Sequence, residues 1–351
     1  MLGRIMKLKT VSVTGLFGMF DHTVDVRPEG LTFIHSPNGY GKSTFARMVF
    51  LILKGDVNEL REIPFTRMDL TFDDETNIIV EKNEDELFIQ SQRHEIISEM
   101  TEDDMRSIME VTYIPSERLI VRKMDGRLVP ALEAYISEFA DRVQNAQEDN
   151  QLEIKHIESK DIRNDELVFW SKDLKAKLDF IKEAGFTTEI PAGLRFPPSR
   201  HDVNQSAQEY LDLAHAISEY IERNYYLAES VVVFKDIVNG LFLNKNMAIN
   251  ENGVVGVEFD DGTSLPLSKL SSGEKQILVI FYKIIFQTVS GSLVIIDEPE
   301  ISLHISWQQR MGAIFMDIAR LRHLQIIVAT HSPQIVHDKW DLANELRVER
   351  A

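Results

Sequence analysis

The segment Ser36-Pro37-Asn38-Gly39-Tyr40-Gly41-Lys42-Ser43-Thr44 constrains this chain more than any other stretch of it. Leu31 to His35 runs apolar before it and reads as a strand. Phe45 to Leu53 runs apolar after it and reads as a helix that Gly55 stops. Glycines at 39 and 41 let backbone N–H groups turn inward around phosphate oxygens. The following helix points its positive end at the same anion. Lys42 is placed to reach the β- and γ-phosphates of a nucleotide, and the Ser43 hydroxyl to bind Mg2+. A merely glycine-rich turn has no need of Lys-Ser-Thr. The usual pattern opens with glycine, and here position 36 is serine.

Around this loop the chain alternates strand and helix. Lys7 to Val13 and Thr23 to Arg27 read as strands. Residues 66–90 read as an antiparallel meander, with Met68, Leu70 and Phe72, then Ile78 and Val80, at alternate positions, and turns at Asp73-Asp74-Glu75 and Asn83-Glu84-Asp85. The acidic stretch 94–110 reads as helix, and Val111 to Ile114 as a short buried strand. From about 129 to 245 the period becomes helical, as in Ile136, Phe139, Ala140 and Val143. Gly185, Pro191, Gly193, Pro197 and Pro198 interrupt it, which predicts a turn near 185–202. Helical arms of this size reach at most about 80 Å at 1.5 Å per residue. Asn246 to Phe259 returns to strand, with Asp260-Asp261-Gly262 as a hairpin turn. The expected division is therefore a head of residues 1–125 and 246–351, with a helical lobe at 126–245 inserted into it.

Three further sites carry chemistry. Leu293 to Ile296 is a buried strand that ends in Asp297-Glu298, so both carboxylates sit at the carboxyl edge of a parallel sheet, where ligands bind. Asp297 would hold Mg2+ through water, and Glu298 could polarise an attacking water. Gln325 to Thr330 is a second buried strand ending in His331, whose imidazole could orient water or sense the γ-phosphate. Leu270-Ser271-Ser272-Gly273-Glu274 opens an apolar helix. Ser271 and Glu274 there have the spacing of a capping box. The same residues also make a second anion site, a helix start with a serine hydroxyl.

Composition removes several classes. No cysteine is present among 351 residues, which excludes thiolate catalysis, disulfides and cysteine-held metals. A net charge of −18 opposes tight, non-specific nucleic-acid binding by this chain alone. No apolar run is long enough to span a bilayer and Met1 to Lys9 lacks a signal-peptide core, so a cytoplasmic protein without membrane attachment is expected. His201-Asp202, His304, His323 and His337 lack the spaced partners of a nuclease, and the acidic stretches near 99–110 and 147–166 read as solvated helix faces.

These pieces, in this order, resemble the nucleotide-binding head of ABC-type ATPases. Asn38 to Thr44 matches the Walker A motif. Leu270-Ser271-Ser272-Gly273-Glu274 is similar to the ABC signature, with Ser272 where many members have glycine. Leu293 to Glu298 resembles Walker B with its catalytic glutamate, Ser302-Leu303-His304 stands at the D-loop, and His331 matches the switch histidine. The resemblance implies an α/β fold, a P-loop parallel sheet plus a small antiparallel meander, with an inserted helical, short coiled-coil lobe. It implies ATP and Mg2+ as ligands. It also implies a head-to-tail homodimer, with Ser271 and Gly273 of one copy closing over the nucleotide of the other. The Q-loop is not evident, since Gln90 and Gln92 end the meander without an obvious place in the site. Phe17 or Phe20 could stack on adenine.

The interval from Ile114 to Leu270 is longer than the helical subdomain of transporter heads and far shorter than SMC arms. It is similar to that of RecF-like, OLD-like and Septu-like ATPases. Tyr113-Ile114-Pro115-Ser116-Glu117-Arg118, Asp297 to His304 and Thr330-His331-Ser332-Pro333 resemble the Septu/OLD anti-phage type. OLD proteins carry a nuclease domain after the head. The stretch after His331 is too short for one here, so a separate nuclease, of HNH type by the Septu resemblance, is the expected partner, with DNA or RNA reached through the complex. The competing expectation is a RecF/SMC-like repair ATPase that clamps DNA in an ATP-dependent way. A non-hydrolysing nucleotide sensor is the third.

Overall fold

A computed structural model describes residues 6–84, 86–123, 125–148, 151–158, 162–250 and 254–346. The expected turn residue Asp85, the start of the chain at 1–5 and part of the acidic stretch 147–166 lie outside these residues. The chain forms two compact units, one of residues 1–120 and 271–351 and one of residues 121–270. The three-stranded sheet near 245–265 thus belongs to the second unit, whereas the sequence reading grouped it with the head.

In chain order the first unit begins with β1 (Leu8–Leu16), β2 (Phe20–Asp25), β3 (Gly30–His35), α1 (Lys42–Lys54) and α2 (Val57–Glu62). It continues with β4 (Arg67–Phe72), β5 (Thr76–Asn83), β6 (Glu86–Arg93), β7 (Ile96–Glu99), α3 (Glu102–Arg106) and β8 (Val111–Ile114). The expected helix over 94–110 is thus replaced by β7 and the short α3. Ile96 and Ile97 extend the sheet by pairing with Arg93 and Gln92, so tertiary pairing overrides the acidic, helix-favouring composition.

The second unit holds β9 (Ile120–Arg122) paired with β10 (Leu128–Pro130), then α4 (Ala131–Glu148), α5 (Asn164–Glu183), α6 (Arg200–Leu241), β11 (Lys245–Ile249), β12 (Val255–Phe259) and β13 (Ser264–Leu265). The chain returns to the first unit with α7 (Ser272–Phe286), β14 (Leu293–Asp297), α8 (Ile305–Arg322), β15 (Gln325–Thr330), α9 (Pro333–Val336) and β16 (Ala343–Glu345).

The first unit is built on two sheets. The antiparallel sheet runs β2-β1-β4-β5-β6-β7 and the parallel sheet runs β16-β3-β15-β14-β8. β4 alternates buried and half-buried side chains, as a sheet with one well-covered face requires. β14 and β15 are buried at every residue, as strands covered on both faces must be. α1 lies between the sheets. Its Phe45, Val49 and Ile52 join Leu70, Phe72, Ile295 and Ile327 in one core. In the parallel register Thr330 sits opposite His35 and Asp297 opposite Ala329, so the carboxyl ends of β3, β15 and β14 come out side by side. That edge receives the phosphate-loop segment, His331 and Asp297-Glu298.

Within the second unit α5 and α6 run in the same direction. Asn164 bonds Asn204, Trp170 meets His215 at 4.9 Å and Phe180 meets Tyr225 at 5.3 Å, so position advances together on both helices. The segment 184–199, where the glycines and prolines predict a turn, is therefore a return along the pair.

Candidate functional site

Gly41 is the N-cap of α1, at φ 79°, and no side chain caps this helix end. The backbone angle favours glycine, and a Cβ at residue 41 would also crowd the Leu16 Cδ2 methyl at 2.9 Å. Gly39 is also left-handed, at φ 89°. The first N–H groups of α1 have no intrahelical acceptor and face the place where an anion would sit. Lys42 is buried, and its Nζ donates to the carbonyls of Ser36 at 2.8 Å and Pro37 at 2.9 Å, inside the loop. Burial pushes its amine below the usual lysine range, against the pull of Glu298, Glu300 and Asp297. Asn38 and Gly39 are exposed at the tip, and Thr44 follows within α1. His22 Nε2 lies 2.9 Å from the Tyr40 carbonyl, and Tyr40 stacks on Phe20 at 6.1 Å, which pins the loop to β2.

The Ser43 hydroxyl donates to Asp297 Oδ1 at 2.8 Å, and the Tyr113 hydroxyl lies 3.4 Å from Asp297 Oδ2. Burial pushes the Asp297 carboxyl up, and Glu298 beside it acts in the same direction, against the bonds from Ser43 and Tyr113. Burial also drives the Tyr113 phenol above its ordinary range. A divalent cation here would favour the charged carboxylate. Among the described residues no three His, Asp or Glu side chains form a metal-holding group. One serine hydroxyl beside one carboxylate, with nucleotide phosphates supplying further oxygens, is the donor set Mg2+ accepts. A cavity of about 650 Å³ adjoins these groups, lined by Ser43, Thr44, Arg47, Tyr113, Asp297 and Glu298.

Glu298 lies at φ 45°, a conformation uncommon for a side-chain-bearing residue. Its N–H donates to the Ala329 carbonyl at 2.8 Å, and its own carbonyl accepts from Arg118 at 2.9 Å. Arg118 is 2% exposed, and its guanidinium also donates to the carbonyls of Pro115 at 2.8 Å and Asp297 at 2.9 Å and to the Gln276 side chain. Burial pulls it down to about 10. His331 Nδ1 lies 3.4 Å from Glu298 Oε1 and 3.2 Å from Glu300 Oε1.

The structure therefore brings Lys42, Ser43, Asp297, Glu298 and His331 to one sheet edge. Sequence reasoning missed Arg118, Tyr113 and Glu300. Nothing in the spacing of Arg118 signals burial, and Glu300 looks like one more acid in an acidic turn. Gln90 and Gln92 are on β6, paired with Ile79 and Asn77, and the residues that do line the cavity beside Ser43 and Asp297 are Tyr113 on β8 and Pro115, Ser116 and Glu117 after it. Phe20 is buried, while Phe17 is 41% exposed and its ring comes within 3.7 Å of the Cβ position of Gly41.

The α7 end is capped from within. Ser271 Oγ donates to Glu274 Oε2 at 2.9 Å and accepts from Glu274 N at 3.3 Å, and Ser271 N donates to the same carboxylate at 2.8 Å. Ser272 is exposed. Gly273 is fixed by its own chain, because a Cβ there would lie 2.5 Å from the Ser302 carbonyl oxygen.

With this geometry in hand, comparison with known proteins is decisive on family. The family model AAA_21, described as "AAA domain, putative AbiEii toxin, Type IV TA system", matches residues 14–337. The chain belongs to this family. ATP and Mg2+ use is a property of such P-loop ATPases, in keeping with the loop and the Ser43–Asp297 pair. Over 92 residues the chain is 36% identical to the "Retron Ec83 probable ATPase" of Escherichia coli, a match spanning 22% of this chain and 16% of that protein. The chain thus covers under one fifth of that relative. The Smc head domain of Pyrococcus furiosus, with an extended coiled coil and bound to the C-terminal domain of ScpA, aligns over 94% of this chain and 91% of its own, at 12% identity and a TM-score of 0.46. The SMC head domain from Thermotoga maritima aligns over 96% and 92%, at 12% identity and a TM-score of 0.41. Among the described residues of this AAA_21 chain, no helix is long and apolar enough to cross a membrane.

Proposed function

We propose that this protein hydrolyses ATP slowly, closes head-to-tail around it as a homodimer, and controls a separate HNH-type nuclease in a cytoplasmic anti-phage complex that reaches DNA or RNA. The observation that carries the ATPase part is the 2.8 Å bond from Ser43 Oγ to Asp297 Oδ1, because it joins the phosphate loop to the strand-end carboxylate at the point where Mg2+ would bind. Ser43 and Asp297 would hold Mg2+, which would neutralise charge on the phosphate oxygens. Asn38 to Thr44 hold the phosphates through backbone N–H groups, and Lys42 turns from the Ser36 and Pro37 carbonyls to the γ-phosphate. Glu298 orients the attacking water and takes its proton. His331 approaches the same phosphate from the neighbouring strand end. Phe17, exposed beside the loop, stacks on the base.

In the dimer the α7 end of one copy meets the nucleotide of the other. Ser271 must then exchange Glu274 for a phosphate oxygen, because its hydroxyl is otherwise engaged. That exchange also has to move a carboxylate away from an anion, which suits a slow enzyme. The defence assignment is supported by the toxin–antitoxin wording of the family and by the retron ATPase. The net charge of −18 disfavours the competing DNA clamp, for which salt-sensitive, ATP-dependent duplex binding is the signature.

Phosphate release and light scattering test the reading together. Lys42→Ala is expected to lose ATP binding, and Glu298→Gln to bind ATP and accumulate as a dimer. An unchanged mass for Glu298→Gln with and without Mg-ATP removes the head-to-tail mechanism. Purification with the products of neighbouring genes tests the nuclease, which is expected to co-elute.

A further inference from the structure

His331 Nδ1 stands within reach of two carboxylates, and the difference between them is informative. Glu298 is half-buried and turned to the cavity. Glu300 has a side chain only 4% exposed. Its Oε1 accepts from Thr330 Oγ1 at 2.6 Å, from His331 N at 2.9 Å and from Ser332 N at 3.1 Å. Three donors from consecutive residues at the end of β15 thus fix this one oxygen, and it lies 3.2 Å from Nδ1. Its Oε2 is buried without a partner. An oxygen that takes three hydrogen bonds has no proton to give, so of the two neutral ring tautomers only the one with a proton on Nδ1 meets it favourably at this distance.

We propose that Glu300 is a positioning residue that holds His331 in its Nδ1–H tautomer, so that Nε2, across the ring, is the atom presented to the nucleotide. The assignment rests on the ATPase reading above for its function but not for its geometry. A histidine whose ring is held by a buried carboxylate keeps one tautomer and one orientation, and at metal-ligating histidines loss of such a partner costs about 10–100-fold in metal affinity or activity. The arrangement also separates two tasks. Glu300 takes the imidazole N–H, and Glu298 stays available to water. Were Glu298 the true holder, it would have to serve both.

The test uses the full chain. Nitrogen-15 NMR of the histidines, with His331 assigned by its loss in His331→Gln, reads the tautomer. ATP turnover is measured in parallel. The wild type and Glu298→Gln are expected to show the Nδ1-protonated signature. Glu300→Gln keeps a carbonyl for the three donors but offers Nδ1 a weaker, neutral acceptor, and is expected to shift His331 part of the way from that signature towards a mixture of tautomers. Its kcat should fall about 10–100-fold, with KM for ATP within about threefold. Glu300→Asp, which retains charge but withdraws the oxygens, serves if Glu300→Gln does not fold, and the same shift is expected. An unchanged His331 spectrum in the Glu300 variant, or a shift in Glu298→Gln instead, overturns the proposal. Absence of turnover in the wild type would instead refute the ATPase reading, and the NMR result would still decide on Glu300.

Discussion

Replacing Arg118 by methionine should damage hydrolysis more than it damages the fold. The guanidinium gathers acceptors from three places: the Pro115 carbonyl after β8, the Asp297 and Glu298 carbonyls at the end of β14, and the Gln276 side chain on α7. Hydrogen bonds from a charged donor contribute about 1.5–3 kcal/mol each. Four of them come to roughly 6 kcal/mol at the lower figure. Removing a buried cation returns part of that, because its desolvation costs several kcal/mol. The net expected loss is about 2–4 kcal/mol, read as a lowered urea midpoint. The functional loss has a separate source. Glu298 at φ 45° carries about 1–3 kcal/mol of backbone strain, sustained by the Arg118 bond to its carbonyl and by its own N–H to Ala329. Without Arg118 this peptide relaxes and the carboxylate moves, and a 1 Å displacement of a reacting group costs about 10²-fold in rate. Gln276→Leu is the control, since it cuts only the tie to α7 and should leave kcat within about threefold while lowering stability by about 1–2 kcal/mol. Wild-type turnover in a destabilised Arg118→Met chain would refute the link to Glu298. Undiminished stability would refute the hydrogen-bond reasoning itself.

Two further perturbations follow from the packing. Gly273→Ala puts a methyl group 2.5 Å from the Ser302 carbonyl oxygen, which is backbone and cannot swing aside, so stability should fall by about 1–3 kcal/mol in urea unfolding. Lys283 donates to the Tyr113 carbonyl at 3.0 Å, and burial with Arg118 nearby pulls its amine down to about 8 from an ordinary 10.5. Between those values the unfolded chain keeps a proton that the folded chain has released, so stability rises with pH there. Urea midpoints at pH 7 and pH 9.5 should therefore show the wild type gaining on Lys283→Met as the pH is raised, and parallel behaviour of the two would refute the assignment.

What could be read from sequence was local, and what could not was convergent. The phosphate loop was legible because its glycines, lysine and serine act within one strand–turn–helix unit. Asp297 and His331 were legible because each ends a short apolar run whose burial on both faces forces it into the sheet centre, so the strand order alone carries them to the same edge. The helical periods of α5 and α6 were legible too. Their shared direction was not, because period carries no sign and the contacts Trp170–His215 and Phe180–Tyr225 are tertiary. β16 is three residues long and exists through β3, with no pattern of its own. Arg118 belongs to this second kind, since its meaning lies in acceptors brought from distant parts of the chain.

The α7 end shows why local legibility can mislead about function. Ser271 and Glu274 have capping-box spacing, and the structure forms that box. A serine so placed is a good helix start and, for the same reason, a serine whose hydroxyl already has a partner. At α1 the opposite holds: Gly41 brings no side chain to the helix end, so among the described residues no side-chain cap competes there with a phosphate. The two helix ends therefore differ in cost. The α1 end is ready to take an anion, whereas on the proposed head-to-tail closure the α7 end must first give up Glu274, so closure over a nucleotide should be slower than capture of it. Glu274→Gln keeps the helix cap nearly intact and removes the competing charge. Rapid mixing with Mg-ATP should show dimer formation accelerated in that variant with nucleotide binding unchanged, and an unaltered association rate would mean that α7 does not meet the nucleotide.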